Sequence, residues 1–176
     1  MKENLILCGF MGCGKTTVGR RLAALSGREL VDMDAYIEKE QGKTVREIFA
    51  ALGESAFRQM ETDAARALSQ KNGLVIASGG GTVLNPENVR LLRQSGKILL
   101  LDVPLAALQE RLKSDTQRPL LQRPDRREFI AELHAKRMPL YEAAADLVVP
   151  AGAPGIVVAR RILELLGEQE IGRAHV

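Results

Sequence analysis

Cysteine occurs only twice, at Cys8 and Cys13. Two thiols are too few for a disulfide scaffold, and no histidine stands near enough in sequence to complete a zinc ligand set. The expectation is a pair of reduced thiols in a cytoplasmic protein. Long apolar runs are missing too, and nothing approaches the ~18–20 residues that a membrane-spanning helix needs. The early run Leu5–Met11 is broken by glycine and followed by Lys15, unlike a secretion signal. Internal repeats and Ser/Gly-rich linkers are absent, so the 176 residues suit one domain. With 45% apolar and 27% charged residues, disordered and collagen-like chains are excluded.

Charge is nearly balanced overall, 25 Lys+Arg against 22 Asp+Glu for a net +3, but it is not evenly spread. The stretch Arg111–Arg137 holds eight basic and four acidic residues, so it carries +4 while the remainder carries −1. A basic excess confined to one segment points to a local anionic ligand rather than to a nucleic-acid surface. A monomer with no nucleic-acid or membrane partner is expected.

Short apolar runs alternate with stretches of helical period, the pattern of parallel βαβ units. Strands are expected at Leu5–Cys8, Leu30–Asp32, Leu74–Ala77, Ile98–Leu101 and Leu147–Val149. Amphipathic helices are expected at Thr16–Leu25, Thr44–Leu52, Ser55–Leu68, Glu87–Leu92, Leu105–Leu112, Glu128–Lys136 and Gly155–Leu166. Thr44-x-x-Glu47 reads as a capping box, and Asn85-Pro86 as an N-cap with proline at the first helical position. The segment Ser114–Asp125, with two prolines and no clean period, is long enough to be a functional lid.

Gly9-Phe10-Met11-Gly12-Cys13-Gly14-Lys15-Thr16 fits G-x4-G-K-[ST], after a strand and before a helix, as a phosphate-binding loop requires. The glycines let backbone N–H groups converge on a phosphate, and the following helix adds its positive end. Lys15 can reach the β- and γ-phosphates, and the Thr16 hydroxyl can ligate Mg²⁺. A nucleoside triphosphate is therefore the expected ligand. No N/T-K-x-D element exists to read guanine, and no Asp-Glu pair follows a hydrophobic strand as in motor and transport ATPases. Instead the third strand runs into Gly79-Gly80-Gly81, where a ligand can press against the backbone beside the phosphate loop. The second strand ends in Asp32-Met33-Asp34, and Asp102 after the fourth strand is a competing magnesium carboxylate.

These elements together resemble the shikimate kinase family, small kinases of the nucleoside-monophosphate-kinase type. The resemblance spans Asn4 to Gly167 and rests on Gly9–Thr16, Asp32-x-Asp34, Phe57-Arg58-x-x-Glu61, Gly79–Gly81, Arg118-Pro119-Leu120-Leu121 and Arg137-x-Pro139-Leu140-Tyr141. It implies a three-layer α/β/α P-loop NTPase fold with a central five-stranded parallel sheet and a mobile lid at about 114–125. It also implies transfer of the ATP γ-phosphate to the 3-hydroxyl of shikimate, giving 3-phosphoshikimate and ADP, within chorismate and aromatic amino acid biosynthesis.

Carried over residue by residue, the resemblance makes Arg58 and Arg137 the grips on the substrate carboxylate, for which a guanidinium fork is suited. Asp34 contacts the ring hydroxyls and accepts the proton of the attacking one. Gly79, Gly80 and Gly81 offer backbone contacts to the ring. Lys15, Asp34 and Arg118 form the catalytic set, with Arg118 brought over the phosphates by the lid. ATP is held by Gly12, Cys13, Gly14, Lys15, Thr16, Thr17, Arg111 and Arg118, with Arg111 stacking on adenine and the Pro150–Pro154 loop nearby. One Mg²⁺ is expected on Thr16, with Asp32 reaching it through water; Asp32 is preferred to Asp102 for its closeness to Asp34. Glu61 is expected to orient Arg58, while Arg123, Arg126, Arg127, Met11 and His134 receive no role. The rivals are a related small-molecule kinase, such as a gluconate kinase, and a catalytically dead binding regulator.

The kinase domain is expected to span residues 1–169. Residues 170–176 follow a helix that already ends at Gly167, and GAG-ATC-GGA-AGA-GCA-CAC-GTC, which resembles a common sequencing adapter, would encode them. They are expected to be a non-native tail.

Overall fold

A computed structural model describes residues 2–172. Its five strands are β1 (Asn4–Cys8), β2 (Glu29–Asp32), β3 (Leu74–Ala77), β4 (Gly96–Asp102) and β5 (Leu147–Pro150). They form one parallel sheet in the order β2-β3-β1-β4-β5. β1 is central, with Ile6 aligned to Ile76 on one side and to Ile98 on the other. All five of its residues are buried, which is why Leu5–Cys8 reads as an unbroken apolar run rather than an alternating one. The chain leaves β1 toward β3 and β2 and returns toward β4 and β5. A crevice therefore opens at the carboxyl ends of β1 and its neighbours, the usual place for a ligand in such a sheet.

Seven helices connect and cover the strands: α1 (Lys15–Ser26), α2 (Met33–Gln41), α3 (Val45–Ser69), α4 (Pro86–Arg93), α5 (Leu105–Leu112), α6 (Arg126–Ala144) and α7 (Gly155–Leu166). α1 packs on α7, α3 packs on both α2 and α4, and α6 reaches β4 and packs on α5. The three-layer α/β/α arrangement and the parallel sheet follow the sequence-based expectation. So do the capping box at Thr44 and Glu47 and the Asn85 cap ahead of Pro86.

Three helices differ from the sequence pattern: α2 is not among the expected amphipathic stretches, and α3 and α6 differ in extent. α3 spans both of the expected segments but is broken at Gly53, whose φ of 85° and ψ of 172° leave the helical region. It is in effect two helices meeting at that glycine, as the periodicity suggested. α6 runs well past Lys136 and through Pro139. A proline inside a helix costs about 3 kcal/mol, and burial of Tyr141 and Ala144 beyond it offsets that loss. This continuation places Arg137 on a helix.

The segment Ser114–Asp125 carries a single 3₁₀ turn, Pro119–Leu121, whose Leu121 is fully buried. Among the described residues no helix is long and apolar enough to cross a membrane. Of the segment 170–176, Glu170 pairs with Arg160 at 2.8 Å and the Ile171 N–H donates to the Leu25 carbonyl. Residues 173–176 lie outside the described residues.

Candidate active site

Three loops meet at the carboxyl edge of the sheet: the phosphate loop after β1, the β2–α2 junction, and the glycine loop after β3. With Arg118 they enclose a cavity of about 390 Å³. The phosphate loop enters α1 through Gly14, whose φ of 96° is a left-handed conformation that costs glycine little. No side chain caps α1 and no acid occupies its first turn. Its free N–H groups and positive end are thus left for an anion. The Lys15 ammonium donates to the carbonyls of Gly9 (2.7 Å) and Phe10 (3.4 Å) and lies 3.9 Å from Cys13 Sγ. Cys8, buried beneath the loop, has its thiol pushed up to about 12 by burial and is inert.

Asp32 and Asp34 stand side by side but do different work. Asp32 caps α2, accepting from the Ala35 N–H at 3.0 Å, and its other oxygen accepts from the Thr16 hydroxyl at 3.2 Å. Asp34, in the first turn of α2, does not cap it and lines the cavity. Burial pushes its carboxyl up to about 6, with the charges of Asp32 and Glu61 adding to that and Lys15 opposing it. Asp102 is exposed at the end of β4 and is not among the residues that line the cavity.

The glycine loop is bonded on both flanks. The Gly79 N–H donates to Thr82 Oγ1 (3.0 Å), whose hydroxyl donates to Glu61 Oε2 (2.8 Å). The other oxygen of Glu61 accepts from Arg58 at 2.6 Å, and Arg58 also reaches Glu54 at 3.4 Å. On the opposite flank the Tyr141 hydroxyl donates to the Gly80 carbonyl at 2.6 Å. Both arginines rest against the loop. A Cβ at Gly81 would stand 2.5 Å from an Arg58 nitrogen, and one at Gly80 would stand 3.6 Å from an Arg137 nitrogen. Gly81 therefore cannot carry a side chain without displacing Arg58.

Arg118 lines the same cavity from the lid and pairs with Asp115. A second cavity of about 340 Å³ adjoins the outer side of the phosphate loop, between Arg111 and Ala151–Gly155. Arg111 donates to the Gly12 carbonyl at 2.8 Å, which holds its guanidinium at that rim.

The structure therefore brings together Gly12, Cys13, Gly14, Lys15, Thr16, Thr17, Asp32, Asp34, Gly79, Gly80 and Arg118 around the first cavity. Arg58 and Arg137 lie against its glycine wall, and Gly12, Cys13, Gly14 and Thr17 face Arg111 across the second. Met11, to which the sequence assigned no role, lines the first cavity as well. Sequence reasoning missed Thr82 and Tyr141. Each had a local signal, since Thr82 follows the glycines directly and Tyr141 is one turn beyond Arg137.

A family model described as shikimate kinase matches residues 11–167. A shikimate kinase of Pelotomaculum thermopropionicum is 49% identical over 146 residues, covering 83% of this chain and 85% of that one. One from Thermodesulfovibrio yellowstonii is 43% identical over 162 residues, covering 92% and 94%. The solved structure of a shikimate kinase from Acinetobacter baumannii in complex with shikimate superposes with a TM-score of 0.87. It is 37% identical, with 94% of this chain and 93% of that one covered. With matches of this extent over the residues that build the two cavities, the chain belongs to the shikimate kinase family.

Proposed function

We infer that the chain is an ATP-dependent kinase that moves the γ-phosphate of ATP to the 3-hydroxyl of shikimate, giving 3-phosphoshikimate and ADP. The observation that carries this reading is the shared wall. Two guanidiniums lie against the same glycine loop that faces a phosphate loop and a free carboxylate. A dead binding module has no need of the free carboxylate, and gluconate, which also carries a carboxylate, is told apart from shikimate by turnover.

In this reading the phosphate loop and the start of α1 hold the triphosphate, with Lys15 leaving its loop carbonyls for the β- and γ-phosphate oxygens. Arg111 and the segment Ala151–Gly155 flank the adenine. Arg58 and Arg137 grip the substrate carboxylate, each charge-assisted contact contributing roughly 1.5–3 kcal/mol. Asp34 orients the attacking hydroxyl and takes its proton late in transfer, with a carboxyl poised near 6 for that task. Arg118 offsets charge on the transferring group, and the lid excludes water, which otherwise competes as acceptor.

The Thr16 hydroxyl and Asp32 carboxylate are hard oxygen donors bonded to each other at 3.2 Å, a pair suited to Mg²⁺, which keeps most of its waters and takes phosphate oxygens. When bound, that ion would neutralise phosphate charge. Residues 1–169 form the kinase domain in this proposal and residues 170–176 an addition to it, the whole acting as a cytoplasmic monomer. Purified chain with ATP and Mg²⁺ should release ADP with shikimate and not with gluconate. Preferential turnover of gluconate overturns the reading.

A further inference from the structure

The two arginines that would grip the substrate carboxylate come from different helices, Arg58 from α3 and Arg137 from α6. Each is connected to a different glycine of the same loop. From Arg58 the path runs through Glu61 and the Thr82 hydroxyl to the Gly79 N–H. From Arg137 it runs past the Tyr141 hydroxyl, for which Arg137 is the neighbouring cation, to the Gly80 carbonyl. We propose that Thr82 and Tyr141 are positioning residues that keep the carboxylate-binding arginines in register with the ring-facing glycine backbone, so that carboxylate and ring are recognised as one rigid pattern.

The direction of the first path is dictated by chemistry. Glu61 is 1% exposed and Thr82 is fully buried, so neither can turn to water. The Gly79 N–H can only donate, so a lone pair of the Thr82 hydroxyl accepts from it and the single hydroxyl proton goes to Glu61. Gly79 is thereby spent on structure. Gly80 and Gly81 keep their N–H groups unbonded among the described residues, free for a ligand. Thr82 is itself held from below: Asn88 donates to its carbonyl at 2.9 Å, and Thr62 donates to Asn88 at 2.7 Å.

Tyr141 is fully buried and anchored on α6 beyond Pro139, so its hydroxyl arrives at Gly80 with little freedom. Burial pushes that hydroxyl up to about 12 while Arg137 opposes the shift, so it remains a donor at any ordinary pH. Neither residue touches the reacting atoms. Both act on where Arg58, Arg137 and the loop stand relative to each other, which selects for the spacing between a carboxylate and its ring hydroxyls.

This inference rests on the shikimate reading, and the experiment separates the two. Steady-state kinetics with shikimate and with ATP would be measured for Thr82→Val, Thr82→Ser, Tyr141→Phe and Arg58→Ala, and for Thr82→Val combined with Arg58→Ala. Thr82→Val should raise KM for shikimate about tenfold, as expected for two buried groups losing a partner, with kcat and KM for ATP within about threefold. Thr82→Ser, which keeps the hydroxyl, should restore KM, and Tyr141→Phe should raise it about fivefold. In the Arg58→Ala background Thr82→Val should add less than about twofold, because the two act as one unit. A KM for shikimate within twofold of the unsubstituted chain in both Thr82→Val and Tyr141→Phe overturns the proposal. So does a fall in kcat with both KM values unchanged, the mark of a merely smaller folded fraction. Failure of the unsubstituted chain to phosphorylate shikimate refutes the function itself and the positioning role with it.

Discussion

The glycine wall and the lid hold their arginines in opposite ways. Arg58 is paired with a buried carboxylate and sits against backbone, so its place is set by the core. Arg118 pairs with Asp115 three residues away, within its own loop. Several other lid bonds are equally local: the Gln117 and Arg118 N–H groups donate to Asp115, and the Gln122 amide donates to the carbonyls of Asp115 and Arg118. In the proposed function the wall would be a receptor built before substrate arrives. The segment 114–125 is bonded largely to itself, and in the proposed reaction its Arg118 would trade a neighbouring carboxylate for phosphate. The Asp115 carboxylate also accepts from the Gln117 and Arg118 N–H groups, so it stays partnered when the half-exposed guanidinium leaves. Removing the partner of a buried charge such as Glu61 costs several kcal/mol.

If that contrast is right, substitutions in the lid arginine should strike turnover and those in the wall should strike substrate affinity. The largest effect is expected at Arg118. Arg118→Ala should lower kcat by about 10³-fold or more, while KM for shikimate changes little. A variant that loses shikimate affinity instead would place Arg118 with the wall.

Asp34 lines the cavity beside the wall, and the proposed function gives it a role in the chemistry. Asp34→Asn should lower kcat by about 10²–10⁴-fold with ATP binding, followed by calorimetry, nearly unchanged. In the unsubstituted chain kcat/KM for shikimate should fall as pH drops through about 6, where Asp34 takes up its proton. Stability carries the opposite sign. The folded carboxyl titrates near 6 against an ordinary 3.8, so between those values the folded state holds a proton that the unfolded chain releases. Stability from this group is full below that window and declines as pH rises through it. Asp34→Asn should therefore be more stable than the parent at pH 8, by about 1–3 kcal/mol, and should lose that advantage at pH 4. Denaturant melts at the two pH values decide. An equal difference at both removes the buried-charge account.

Arg58→Ala should raise KM for shikimate about ten- to a hundredfold and leave KM for ATP within about threefold. An unchanged KM for shikimate takes Arg58 out of the site.

Much of this arrangement was legible in the chain because its signals are local. The phosphate loop needs only Gly9–Thr16 between a strand and a helix, and Asp32-x-Asp34 closes a strand whose apolar run is plain. The resemblance assigns different roles to Asp32 and Asp34, but the physical reason for the difference lies in three dimensions. The capping bond and the Thr16 contact fall to Asp32, which leaves Asp34 free. The roles of Thr82, Asn88 and Thr62 arise from α3 and α4 meeting beneath the glycine loop, and no spacing announces such a meeting. α6 was cut short in the sequence pattern because a proline outweighs a hydrophobic period locally, whereas burial of Tyr141 outweighs the proline in the fold. Ala151–Pro154 has no distinctive side chain, and only its place across from Arg111 marks it.

The smallest effect sharpens the comparison most, and it falls on Arg126, which the sequence left without a role. Its guanidinium donates to the carbonyls of Leu112 (2.9 Å) and Lys113 (2.8 Å), at the end of α5. It also donates to the Leu121 carbonyl at 2.6 Å and reaches the Gln122 side chain at 3.3 Å, on the far side of the lid. One side chain therefore closes the base of a loop whose other hydrogen bonds are mostly internal, and it does so at a helix C-terminus, where a cation is favoured. Arg126→Ala should leave the wall intact, so KM for shikimate stays within twofold. It should lower kcat/KM for ATP about three- to tenfold and speed amide exchange across residues 114–122. Loss confined to shikimate affinity, or amide exchange in the lid that does not change, would mean that the lid is held by the core after all. The contrast between a wired wall and a clasped lid would then fail at its hinge.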